Sequence, residues 1–157
     1  MNISVTPLTG EDRDRAVEIA RLQSNFLECE ITIAVEVIDG SLSPAGDYQT
    51  LVARDGDGQI WGFVCFGAVP LTENRYDLYW IAVDPGAGRA GVGTRLLHDM
   101  EARLRLKGSG HIYIDTSSTE GYAAARSFYE KHGYRAVARL EDFYRAGDDK
   151  IIYRKIF

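Results

Sequence analysis

Apolar and polar residues alternate with the period of a strand over residues 2–8, where Ile3, Val5 and Pro7 share one side. The same alternation makes strands of 49–54 and 60–69, and Asp55-Gly56-Asp57-Gly58 between them has the chemistry of a tight turn. A second turn over Leu71 to Asn74 leads into a strand from Tyr76 to Val83. Elsewhere helical spacing takes over. Ala16, Ile19, Ala20, Leu22 and Phe26 form one stripe after Thr9, which caps a helix with Asp12 reaching back. A second helix is expected over 31–42, ended by Gly40 and Pro44, and a third carries Val92, Leu96, Leu97, Met100 and Leu104 before Gly108 closes it. His111 to Thr116 reads as a strand. Ser117-Ser118-Thr119-Glu120 reads as a capping box for a helix that ends at Gly133, and a hairpin turning at 146–149 finishes the chain. The order βαα-βββ-α-β-α-ββ predicts an α/β (mixed α+β) fold, a central mixed, twisted sheet with helices on both faces.

A chain of 157 residues, 45% hydrophobic, suits one globular domain spanning 1–157. Its net charge of −5, without a long basic run, argues against nucleic acid and suits a cationic substrate. No stretch is long and apolar enough for a membrane span, and the first residues lack the features of a signal peptide. Cys29 and Cys65 have no metal-ligand spacing, which points to a reduced, cytoplasmic protein without a metal; Cys29 reads as a packed thiol.

The most informative segment is 83–97. Asp84-Pro85 stops the aromatic and β-branched strand, and four glycines, Gly86, Gly88, Gly91 and Gly93, surround the start of the third helix. Such a strand-to-helix loop aims free amides and the positive end of a helix dipole at a phosphate. Gly86-Ala87-Gly88-Arg89-Ala90-Gly91 matches the dinucleotide fingerprint G-x-G-x-x-G, with Asp115 as a candidate ribose partner. An NAD(P)-dependent oxidoreductase is nevertheless disfavoured. Asp84-Pro85 separates strand from glycine, the preceding segments read as antiparallel hairpins, and too little chain follows Asp115 for the remaining parallel strands.

In a second frame, Val83-x-Pro85 followed by Gly91-Val92-Gly93-Thr94-x-Leu96-Leu97 resembles motif A of the GNAT superfamily of N-acetyltransferases. Ala125-Arg126-Ser127-Phe128-Tyr129-Glu130-Lys131-His132-Gly133-Tyr134 resembles its second signature, A-x-x-F-Y-E-K-x-G-F. Gly88 and Arg89 depart from the expected basic residue and glycine, and Tyr122 replaces the frequent asparagine. The resemblance implies the acyl-CoA N-acyltransferase fold, with acetyl-CoA as co-substrate and a small-molecule or peptide amine as acceptor; it is compatible with a homodimer. Amides of Arg89, Ala90, Gly91, Val92, Gly93 and Thr94 would face the pyrophosphate, with Thr94 Oγ adding a hydrogen bond. Ile81, Ala82 and Val83 would line the pantetheine arm beside a splayed strand, with a backbone amide near Val83 for the oxyanion. Tyr129 matches the tyrosine that serves many members as general acid.

Position 79, where many relatives carry a glutamate, is Tyr79, so Asp77, Glu28 and Glu30 are left as bases acting through water, Asp77 first. By period two Asp77 and Tyr79 share a face, and of the neighbours Phe128 and Tyr129, Phe128 is expected to lie deeper. Asp142, Tyr144, Asp148 and Asp149 are placed to attract an ammonium group. A non-catalytic acyl-CoA sensor on the same fold remains the alternative.

Overall fold

A computed structural model describes residues 1–157. Its elements are β1 (Ser4–Pro7), α1 (Arg13–Arg21), α2 (Glu28–Ser41), β2 (Tyr48–Arg54), β3 (Ile60–Ala68), β4 (Arg75–Val83), α3 (Val92–Arg105), β5 (His111–Ser117), α4 (Ala123–Lys131), β6 (Arg135–Arg145) and β7 (Asp148–Ile156), with 3-10 turns before α1, α3 and α4. The expected order and mixed architecture are present.

The strands form one sheet in the order β1-β2-β3-β4-β5-β7-β6. Every neighbouring pair is antiparallel except β4 and β5, which run parallel. That parallel pairing covers only Arg75–His111, Tyr76–Ile112 and Asp77–Tyr113. Beyond Asp77 the two strands part.

The sheet separates two cores. On one face α3 buries Val92, Leu96, Leu97, Met100 and Leu104 in a cluster with Leu51, Val64, Phe66, Ile112 and Ile114. Each such side chain contributes about 1.5–3 kcal/mol by leaving water. On the other face Ala16, Ile19 and Ala20 of α1 and Ala34, Val37 and Ile38 of α2 close on Val52, Phe63 and Cys65. Cys65 is fully enclosed beside the Thr50 hydroxyl at 3.1 Å, and burial pushes its thiol up to about 12. Cys29, by contrast, is exposed: the first turn of α2 turns it to solvent, so it is not the packed thiol expected.

Local chemistry shifts some boundaries. Both the amide and the hydroxyl of Thr9 donate to Asp12, at 2.9 and 3.0 Å, but around a 3-10 turn; α1 proper starts at Arg13. Gly40 does not end α2; it lies in the last turn because the Tyr48 ring comes within 2.7 Å of where a Cβ would stand. Ser117 belongs to β5 rather than to a cap, since its hydroxyl donates to Asp148 at 2.5 Å and accepts from the Thr119 amide. The start of α4 is instead tied to β5 by Arg126, which donates to the carbonyls of Ser117 and Thr119, each at 2.8 Å.

Candidate active site

The glycine-rich loop is held at its root by Asp84. Its carboxylate accepts from the Gly86 amide at 2.7 Å and pairs with Arg15, and both interactions hold it below the usual 3.8. Gly88 (φ 61°) and Gly91 (φ 74°) then bend the chain through the left-handed region, where a side chain is strained. The first helical bond of α3 runs from Arg95 to the Gly91 carbonyl at 3.0 Å. None of the amides from Arg89 to Thr94 finds an acceptor in the chain. The loop therefore presents a run of free donors at the positive end of a fourteen-residue helix. The Phe128 ring would lie 3.5 Å from a Cβ at Gly93, so it floors this turn. The Thr94 hydroxyl is engaged with His132 Nε2 at 3.2 Å, not directed outward alone as expected.

The strand leading to this loop carries a bulge. The register of β4 against β3 steps from Leu78–Phe66 to Trp80–Cys65 and leaves Tyr79 unmatched. The bulge inverts the facing of the strand. Tyr76 and Leu78 pack in the α3 core before it, and Ile81 and Val83 do so after it. Tyr79 and Trp80 both turn toward the α1–α2 core, joined there by Ala82. Simple alternation from Asp77 through Tyr79 to Val83 is thus broken. Ile81 lines the opening between β4 and β5; Ala82 and Val83 do not, Ala82 being buried in the α1–α2 core and the Val83 carbonyl accepting from Gln23 Nε2 at 2.9 Å.

Where β4 and β5 part lies a cavity of about 560 Å3, within the range of small-molecule sites. Asp77, Ile81 and Tyr129 line it together, whereas residues 89–94 lie outside it. Tyr129, not Phe128, is the deeper of the pair: it is 7% exposed, and its hydroxyl has no partner in the protein. Burial raises its pKa above the usual 10.0, so the phenol keeps its proton through the neutral range. Thr116 on β5, which sequence reasoning missed, adds a second buried hydroxyl without a partner. An isolated threonine in a strand carries no signal of such a role.

Asp77 is half-buried and receives no hydrogen bond; burial, then the charge of Asp115, push its carboxyl above 3.8. That makes it a stronger base than a solvated carboxylate. The native state accordingly holds this proton to a higher pH than the unfolded chain does, and Asp77 costs stability as pH rises above 3.8. Asp77→Asn is expected to raise Tm at about pH 7 and to leave it unchanged well below the ordinary carboxylate pKa, in paired thermal melts.

Glu30 also reaches the cavity, where it accepts the Tyr122 hydroxyl, whereas Glu28 does not line it. Of the hairpin residues expected to draw an ammonium, three are spent internally. Asp148 is buried against Ser117 and Arg145, Asp149 pairs with Arg139 at 2.7 Å, and Asp142 accepts from the Gly147 amide at 2.8 Å. Only Tyr144 borders the cavity with its hydroxyl unbonded.

The sequence model of the acetyltransferase (GNAT) domain matches residues 46–136. An uncharacterised protein of Mycobacterium leprae is 31% identical over 157 residues; the match covers 98% of this chain but only 40% of that protein. A GNAT-family protein from Desulfovibrio desulfuricans superposes with a TM-score of 0.92 at 36% identity, over 99% of both chains. The PaiA N-acetyltransferase of Thermoplasma acidophilum, solved with coenzyme A, shares the fold at a TM-score of 0.74 and 22% identity over the whole of each chain.

Proposed function

Because the chain belongs to the GNAT family of acetyltransferases, we propose that it moves an acetyl group from acetyl-CoA to the primary amine of a small molecule or peptide, by direct transfer within a ternary complex. The observation that carries this reading is the run of unpaired amides from Arg89 to Thr94 at the start of α3, on the loop that follows β4, the strand that also lines the cavity holding the free Tyr129 hydroxyl. A diphosphate fits those donors, and GNAT-fold proteins solved with coenzyme A support the identity of its carrier.

The thioester supplies the acetyl group; the side chains manage protons and position. Asp77, acting through a water, removes a proton from the incoming ammonium, helped by its raised pKa. The amine lone pair then forms the C–N bond as the C–S bond breaks. A main-chain amide of β4 beyond Asp77, unpaired with β5, meets the carbonyl oxygen as it gains charge. Tyr129 hydrogen-bonds the departing sulfur and passes it a proton, and the second proton that the nitrogen sheds on becoming an amide restores the phenol. A buried phenol is a weaker acid than a thiol, so the transfer to sulfur has to accompany C–S cleavage rather than precede it.

Coenzyme A and acetyl-CoA at a hundred times their Kd are expected to add about 2.7 kcal/mol of stability, read as a rise in Tm, while NAD and NADP add none. Thiol release should then follow addition of an amine. Stabilisation by acetyl-CoA without thiol release from any amine would instead identify an acyl-CoA sensor.

A further inference from the structure

The cavity beside Tyr129 is lined by four carboxylates and by no lysine, arginine or histidine. Two of the four are neutralised within the fold. Asp115 pairs with Lys150 at 2.9 Å, and Asp148 pairs with Arg145 at 2.5 Å. The other two form no ion pair, although the charge of Lys150 also reaches Asp77. Asp77 on β4 has no donor of any kind, and Glu30 on α2 has no cationic partner. Glu30 Oε2 accepts from the Tyr122 hydroxyl and the Leu27 amide, which leaves Oε1 unmet. The two free carboxylates belong to different walls, and aromatic surface lies in the same lining. Tyr48 and Tyr79 meet edge to face at 5.2 Å, and Phe26 and Trp80 do the same at 5.2 Å. The unpartnered hydroxyl of Tyr129 and the buried, unpartnered hydroxyl of Thr116 belong to the same lining.

Resting on the acetyl-transfer reading of this site, we infer that the acceptor is a short aliphatic dication: one ammonium is delivered to Asp77 and Tyr129 for acetylation, and a second is held at Glu30. Carboxylate and aromatic faces together favour a cation on an apolar chain, and they repel an acceptor that carries a carboxylate. The reacting ammonium gives one proton to Asp77, forms its C–N bond as the C–S bond breaks, and on becoming an amide sheds a second proton that replaces the one Tyr129 passes to sulfur. The distal ammonium passes through unchanged and sets selectivity. A cavity of this size, enclosed by α2, β4 and α4, suits a small molecule better than a polypeptide chain.

The test compares thiol release from acetyl-CoA with putrescine, butylamine, γ-aminobutyrate and a peptide with a free N-terminal alanine. Putrescine should exceed butylamine in kcat/KM by at least about tenfold, with γ-aminobutyrate below both. Glu30→Gln should shrink the putrescine-to-butylamine ratio toward unity. Should that variant fold poorly, the wild-type ratio must fall as ionic strength rises, because screening weakens the distal contact. Butylamine turned over as well as putrescine, or the peptide turned over better than either, would overturn the dication inference and leave acetyl transfer standing. No turnover with any amine would overturn both.

Discussion

With Tyr129 as the proposed general acid, Tyr129→Phe is expected to lower kcat by about 10²–10⁴-fold, the usual contribution of such a group, with little change in affinity for acetyl-CoA. The same substitution does not lower Tm. The ring keeps its packing against Tyr134 and Tyr153, and the hydroxyl removed is one that the folded chain leaves without a partner. That hydroxyl lines the cavity, so its loss removes no hydrogen bond within the fold. Activity and stability are thus expected to separate cleanly, which a residue serving only the core would not allow. Steady-state thiol release across pH, together with thermal melts of both proteins, reads the two quantities. Unchanged turnover at every pH would return Tyr129 to the role of a packed aromatic.

The second large effect lies away from the cavity. Glu101 of α3 is 1% exposed and receives Lys155 of β7 at 2.8 Å, Arg105 at 3.6 Å and the Tyr134 hydroxyl at 3.4 Å. Lys155 also donates to the His132 carbonyl at 2.9 Å, so this group joins α3, the end of α4 and β7. Glu101→Ala strands the ammonium. Breaking a buried pair in this way costs about 3–5 kcal/mol, and the partial exposure of Lys155 and Arg105 reduces that to roughly 2–3. Tm should fall by about 5–10 °C in a chain of this size. Adding Lys155→Met to Glu101→Leu should recover most of the loss, because an apolar pair of similar volume replaces the ionic one. A single substitution that leaves Tm unchanged would mean that the charges are better solvated than their burial implies.

The helical and strand periods were legible from local pattern alone. Val92, Leu96, Leu97, Met100 and Leu104 recur at the spacing that buries them, and the glycines at 88, 91, 108 and 133 adopt the positive φ that makes them turn residues. What escaped the pattern depends on partners distant in the chain. The bulge at Tyr79 exists only relative to Cys65 and Phe66 on β3, so alternation within β4 could not reveal it. The depth of Tyr129 relative to Phe128 is set by where α4 meets Gly93 and β7, and helical spacing serves either residue equally. Ser117 reads as a cap until Asp148, thirty-one residues on, claims its hydroxyl. Thr116 carries no local mark; it matters because the parting of β4 from β5 opens a space beside it.

That parting has a mechanical side. The two halves of the sheet meet through only three register pairs and are otherwise held together by the core they share on the α3 face. The outer length of β4 is an unfinished edge inside the fold, and any extended molecule laid along it completes the ladder. On the acetyl-transfer reading, a carrier laid along that edge is expected to fill the crevice and to bridge the two halves of the sheet in one event.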